Sequence, residues 1–251
     1  MKRFFLLLYQ LFIWLPLFFL ATILTALITM IGCMLGGERI FSYYPGMIWS
    51  RFTCLITLSS VTVKGKEKLD KKQSYIFVAN HQGVYDIFLI YGFLGHPIKW
   101  MMKESLRKIP FVGKACEAAG FIFVDNTSSF AAAKTIDTAE AVLKNGNSVA
   151  IFPEGSRTKT GKIGPFKKGA FHLALRLKLP IVPITINGSY EVMPIHTYLI
   201  NPHRMELIIH DPIPADRYSI GNLRDLSESI RFLMEQSKTS ILQPLWQMYK
   251  L

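Results

Sequence analysis

Cysteine and acidic side chains are scarce in this chain, and each scarcity excludes something. Cys33, Cys54 and Cys116 are an odd, scattered set, two of them inside apolar stretches. They supply neither a disulfide framework nor the spacing of a zinc site, and they fit a reducing cytoplasmic setting. Against 17 Asp and Glu stand 29 Lys and Arg, a formal net charge of +12 over 251 residues. Such a surplus is silent about fold but favours anionic partners: phosphorylated small molecules, acidic carriers, membrane headgroups or nucleic acid. Internal repeats, low-complexity tracts and long linkers are also missing, which leaves one α/β domain of ordinary size plus a membrane-active segment.

Charge is absent altogether from residues 4–37. That run exceeds the roughly 20 residues a bilayer-spanning helix needs. It lacks the shorter apolar core and small-residue cleavage site of a signal peptide. Lys2 and Arg3 are the only charges before Glu38, so ten of the twelve net positive charges belong to the rest of the chain. After Glu38, Arg39 and Ile40 comes "FSYYPGMIWSRFTCLITLSS", rich in aromatics but broken by Pro45, Gly46 and Arg51. This reads as an interfacial or re-entrant helix. Basic residues on both sides draw both ends to the cytoplasm. Residues 1–58 are therefore expected to form a membrane-embedded helical hairpin dipping into one leaflet, with residues 59–251 as the catalytic domain on the cytoplasmic face, at the inner membrane in a bacterium. A single true span is the competing arrangement.

Beyond residue 60, short β-like runs alternate with helical ones. "SVTVKG", "SYIFVAN", "IKWMMK", "FIFVD", "SVAIFPEG", "PIVPITI" and "RMELIIHD" are the strand candidates. Helices are expected from Ser128 or Ser129 to Gly146, from Lys168 to about Lys178, and from near Asn222. The pattern is α/β, a central, mostly buried sheet flanked by helices.

Three constellations carry chemistry. In "FVANHQGVYDIF", His81 and Asp86 are five positions apart, which on a continuous helix would place them roughly 140° apart. They can meet only if the strand ends at Ala79, Gly83 permits a turn, and a helix begins after His81, with Asn80 or His81 as its cap. An Asp on one imidazole nitrogen leaves the other free to take a hydroxyl proton. Read as structure alone, the same stretch is an ordinary capped helix start. In "IFPEGSRT", a strand runs into a turn that exposes backbone N–H groups near Arg157, whose guanidinium can fork onto a phosphate. Ser156 lies in no GxSxG elbow and is a poor nucleophile. In "GPFKKGAFHLA", Lys167 and Lys168 approach a helix, where solvated lysines are the simpler reading.

Taken in order, "NHQGVYD", "FPEGSR" and "FKKGAF" resemble the glycerolipid acyltransferase family, specifically the 1-acyl-sn-glycerol-3-phosphate acyltransferases. "KESLRKIPFVG", "GFIFVDN" and "VPITING" extend the resemblance over about residues 60 to 190. It implies that His81 is the catalytic base and Asp86 its partner. It also implies that Lys103, Glu154, Gly155, Ser156 and Arg157 serve the phosphorylated acceptor. One departure is Asn126, where the family often has arginine after the Asp. The implied reaction is acyl transfer from an acyl thioester to the free sn-2 hydroxyl of 1-acyl-glycerol 3-phosphate, giving phosphatidic acid. No cofactor, metal or nucleic acid is implied. The partners would be the lysophospholipid, the bilayer and an acyl-CoA or acyl carrier protein donor. Glycerol 3-phosphate or a lysolipid without phosphate are alternative acceptors, and a thioesterase is a related chemistry. A non-enzymatic protein binding anionic lipid is the reading from another class.

Overall fold

The computed structural model describes residues 2–124, 129–144, 146–195 and 197–238. Each of the seven strand candidates forms a strand: β1 Val61–Lys64, β2 Ile76–Ala79, β3 Ile98–Lys103, β4 Ile122–Val124, β5 Ser148–Ile151, β6 Ile181–Asn187 and β7 Met205–Ile209. The helices are α1 Lys2–Tyr9, α2 Leu15–Met34, α3 Glu38–Phe41, α4 Tyr44–Ile56, α5 Tyr85–Phe93, α6 Val112–Ala118, α7 Ser129–Lys144, α8 Gly169–Leu177, α9 Ser189–Val192 and α10 Leu223–Gln236. Ser128, one of the two expected starts of α7, and Asn145, just before its expected stop at Gly146, lie outside the described residues.

The strands make one sheet in the order β1-β7-β6-β2-β5-β3-β4. Neighbours run parallel except β6 and β7, which are antiparallel. Alternation along β2 explains the layers: Phe77 and Ala79 face one core, Ile76 and Val78 the other. The first core is closed by α5 and the N-terminal helices, the second by α7, α8 and α10. In α10 the buried residues Leu223, Ser227, Ile230 and Met234 recur at helical spacing, so one stripe docks and the rest stays wet. With both faces covered, β2 and β6 are buried along their whole length.

A π-helical turn at Gln10–Trp14 joins α1 to α2, giving one unbroken helix. Residues 3–34 of it, with an 18-residue stretch of mean hydropathy 2.5, are long and apolar enough to cross a membrane. At 1.5 Å per residue the helix is about 48 Å long. The chain reverses after Met34 and returns through α3 and α4, so the segment is a hairpin in its course. Pro45 sits in the first turn of α4, where a missing N–H costs no hydrogen bond.

The hairpin is joined to the sheet by packing and by hydrogen bonds. Trp14, Tyr43, Cys54 and Ile56 share a core with strand residues. Trp14 Nε1 donates to Thr57 Oγ1 at 3.0 Å, and that oxygen lies 2.7 Å from the buried Tyr85 hydroxyl. Because Thr57 already donates to Thr53 O, the Tyr85 hydroxyl is the donor. Arg51 Nε donates to Gly92 O at 2.7 Å, and Lys99 Nζ, from β3, pairs with Glu38 at 2.9 Å.

Gly188 ends β6 and turns the chain into α9 with φ of 81°. A Cβ there would lie 2.0 Å from the Arg204 carbonyl oxygen. Gly188→Ala is expected to cost about 1–3 kcal/mol through strain and overlap. The check is a thermal melt in detergent, in which the midpoint should fall by several degrees.

Candidate active site

β2 delivers the chain to the carboxyl edge of the sheet and Asn80 fixes where it leaves. The Asn80 side chain is fully buried; its Nδ2 donates to Ile186 O at 3.0 Å and its Oδ1 accepts from Ile186 N at 2.7 Å. The amide thus ties the end of β2 to β6. Neither Asn80 nor His81 caps α5, contrary to the expectation from sequence. The helix has no side-chain cap at its start; instead Asp86, its second residue, reaches back over the turn.

That carboxylate is fully buried. Its Oδ2 accepts from Gln82 N at 2.5 Å, from Gly83 N at 2.9 Å and from His81 Nδ1 at 2.7 Å. Its Oδ1 accepts from Ser189 Oγ, at the start of α9. Four donors on one carboxylate compensate the desolvation that a lone buried charge would suffer. Donation from Nδ1 leaves Nε2 of the neutral ring as the proton acceptor. The imidazole lies flat on Phe152, with ring centroids 4.0 Å apart and an interplanar angle of 9°. Phe152 in turn stacks on Trp100, from β3, at 5.8 Å. With Nδ1 on Asp86 and one ring face on Phe152, Nε2 is the ring nitrogen left for a substrate. Among the described residues no hydroxyl or thiol of the chain hydrogen-bonds that nitrogen.

β5 lies beside β2 in parallel register, Val78 opposite Ile151, so the loop after β5 opens next to His81. In it Glu154 accepts from His81 N at 2.7 Å through Oε1 and from Gly164 N at 2.8 Å through Oε2. Burial raises its pKa, and the two N–H bonds draw it back. Thr158 N donates to His81 O at 2.9 Å, so both polar groups of the His81 backbone are held by this loop. Gly155 has φ of 74°, and its N–H is spent on Phe152 O at 3.0 Å. The turn therefore offers fewer free N–H groups than its sequence suggested, because it closes on itself.

Side chains supply the positive charge instead. The Lys167 ammonium lies 2.8 Å from where a Gly155 Cβ would stand, and Lys167 N donates to Pro153 O at 2.9 Å. Read from sequence as a solvated lysine, Lys167 lies on the turn after β5. Arg157 is partly buried, Ser156 is exposed, and among the described residues Arg157 has no carboxylate partner. Lys103 is the exposed last residue of β3, three positions beyond Trp100, which pairs with Ala150 of β5. The carboxyl ends of three adjacent parallel strands thus bring His81, the 154–157 turn and Lys103 to one edge, where α/β sheets bind ligands. Asp125 and Asn126 lie outside the described residues.

Two further contacts had no local signal. Ser189 stands just past "VPITING", and Lys238, beyond α10, donates to Gln82 Oε1 at 2.7 Å across 156 positions. Burial lowers the Lys238 pKa, while Glu191, Glu154, Asp86 and Glu235 pull it up.

Residues 60–187 match the family model described as Acyltransferase. Over 178 residues the chain is 31% identical to the chloroplastic 1-acyl-sn-glycerol-3-phosphate acyltransferase BAT2 of Brassica napus, covering 70% of this chain and 51% of that protein. Over 201 residues it is 30% identical to the 1-acyl-sn-glycerol-3-phosphate acyltransferase of Saccharomyces cerevisiae, covering 79% and 66%. The chain thus spans about half the length of the plant relative and somewhat more of the yeast one. Its fold is similar to the crystal structure of the 1-acyl-sn-glycerophosphate (LPA) acyltransferase PlsC from Thermotoga maritima, with a TM-score of 0.81 and 27% identity over 94% of this chain and 98% of that one. With a family model matched over half its length, around the His81–Asp86 pair and the turn after β5, the chain belongs to the Acyltransferase family.

Proposed function

We propose that the chain is a membrane-associated O-acyltransferase that moves an acyl group from a thioester to the sn-2 hydroxyl of 1-acyl-glycerol 3-phosphate, releasing phosphatidic acid. The observation that carries the reading is an oriented His81 whose Nε2 meets no nucleophile among the described residues, beside cations on the same sheet edge that have no carboxylate partner among them. A base without its own serine or cysteine acts on a hydroxyl that arrives with the substrate. The names of the relatives and of the structural neighbour support the lysophosphatidic acid acceptor.

In this mechanism His81 Nε2 takes the acceptor hydroxyl proton as its oxygen attacks the thioester carbonyl carbon. Asp86 stabilises the imidazolium that forms. The tetrahedral intermediate collapses, the carbon–sulfur bond breaks, and the thiolate leaves with the proton from Nε2. No acyl-enzyme forms. Arg157, Lys103 and Lys167 hold the acceptor phosphate. Glu154 and Gly155 act on it indirectly, the first by fixing the His81 backbone, the second by letting Lys167 close on the turn. Ser156, exposed on that turn, is left to hydrogen-bond the acceptor.

Residues 1–58 embed the protein in the bilayer from its cytoplasmic face, and residues 59–251 carry the chemistry. The donor is acyl-CoA or an acyl carrier protein, whose acidic character suits the basic body. Rates with lysophosphatidic acid, glycerol 3-phosphate and a lysolipid without phosphate, compared side by side, test the acceptor. A preference for either of the other two would replace it.

His81→Ala, folded as the parent, should lose about 10²–10⁴-fold in kcat; near-parental transfer would remove His81 as the base. Arg157→Ala should raise the acceptor KM about tenfold or more and leave the donor KM unchanged, as loss of a charge-assisted pair predicts. Glu154→Gln turns one of its two acceptor atoms into a donor facing a backbone N–H. It should lower kcat about tenfold and the melting midpoint with it, because a buried donor is left unsatisfied.

A further inference from the structure

We propose that the turn between β3 and β4, residues 104–114, is a second membrane contact, seated in the headgroup region of a bilayer that contains anionic lipid. The proposal rests on the reading of α2 as bilayer-embedded and adds a contact from the sheet domain itself.

The turn consists of a 3₁₀ segment, Glu104–Lys108, running into α6, and α6 packs along α2. Its apolar side chains stand outward among the polar ones. Leu106, Ile109 and Phe111 are 37%, 42% and 48% exposed. Single apolar residues on a surface are ordinary, but three within six positions, beside a helix exposing Ile28, Ile31 and Met34, continue an apolar surface already present.

The charge of Arg107 is neutralised within the turn. Arg107 pairs with Glu104 at 2.6 Å and with Glu117, and its guanidinium lies 4.1 Å from the Phe123 ring centre. Backbone donors are met locally: Ile109 N by Leu106 O, Val112 N by Pro110 O, Gly113 N by Ile109 O and Ala115 N by Phe111 O, at 2.7–3.2 Å. A segment whose N–H groups are satisfied internally can leave water without a penalty for them. Phe111 keeps its ring outward at a φ of 60°, a conformation uncommon for a bulky residue.

Charge selects the occupant. Lys108 is exposed within the turn, Lys114 is exposed and pairs with Glu117 at 3.0 Å, and Lys103 stands at the start of the turn. Apolar side chains flanked by lysines match the boundary between acyl chains and anionic headgroups. The same placement sets Lys103, at the proposed phosphate site, at headgroup height, where the phosphate of a bilayer-dissolved lysolipid lies.

The test uses the full chain in phosphatidylcholine vesicles with phosphatidylglycerol as the minor component. In a Cys33→Ala, Cys54→Ala, Cys116→Ala background that keeps its secondary structure, spin labels are attached in turn at Ile109→Cys, Phe111→Cys, Ile31→Cys and Phe232→Cys. Electron paramagnetic resonance then compares access to oxygen with access to a water-soluble nickel chelate. Labels at positions 109 and 111 should behave as the label at 31 does, open to oxygen and shielded from nickel only when vesicles are present, while the label at 232 on α10 stays open to nickel.

Nickel access at 109 and 111, with 31 shielded, overturns the proposal and leaves the embedded hairpin standing. Nickel access at 31 as well overturns both. Shielding without vesicles would show contact with protein and also overturns it. Should the cysteine-free background fail to fold, Leu106→Ser, Ile109→Ser, Phe111→Ser together should raise KM for bilayer-dissolved lysolipid about tenfold and leave it unchanged for a short-chain, monodisperse one. Equal changes for both would overturn the inference.

Discussion

A single buried carboxylate organises the functional end of this molecule. Asp86 sits at the start of α5 with no access to water, a place a charge tolerates only if nearly every lone pair is met. Two of its donors are backbone N–H groups of the turn that leads into its own helix, one is the imidazole, and one comes from α9. The shape of the turn, the tautomer of His81 and the placing of α9 are consequences of that requirement. Glycine at 188 allows α9 to start where Ser189 can reach, and the Asn80 amide holds the strand end at the height the turn needs.

Glu154 repeats the solution one strand away. Its two oxygens bridge the backbone of His81 and of Gly164, joining the loops after β2 and β5 into one rigid unit. The two carboxylates differ in what they face: Asp86 holds the ring, Glu154 holds the backbone beneath it. With Nδ1 on Asp86 and Phe152 stacked on the imidazole, the ring is held in orientation and Nε2 is the nitrogen that Asp86 leaves free. Preorganisation of this kind moves cost out of the reaction step and into folding, where the core covers it.

Much of this was legible in the sequence, and what was not shares one physical reason. All seven strands were readable because alternation is a local property, and the need for a chain break between His81 and Asp86 follows from helix geometry alone. The expected cap at Asn80 or His81 failed because a long-range partner won: Ile186 of β6 took the Asn80 amide. Phe152, Ser189 and Lys238 reach the site only through strand order and the docking of α9 and α10, so no window of sequence contains them together with His81. Lys167 was visible but its role was not, since an exposed lysine before a helix usually faces solvent; the left-handed turn at Gly155 is what brings the ammonium onto the turn.

The join between the hairpin and the sheet bears on the chemistry proposed. An anchor on a flexible tether would hold a catalytic domain near a bilayer but leave its height and tilt free. Here Trp14 of the long helix, Thr57 and Tyr85 form a buried hydrogen-bonded chain that ends one residue before Asp86. Lys99, from the strand whose end carries Lys103, pairs with Glu38 at the hairpin turn. The hairpin is thereby rigidly coupled to α5 and β3, the elements that carry Asp86 and Lys103. For a lysolipid whose acyl chain stays in the bilayer, the distance from headgroup phosphate to free hydroxyl is set by covalent geometry. Only a site held at fixed height can meet both groups at once, and a shared core supplies that constraint where a linker would not.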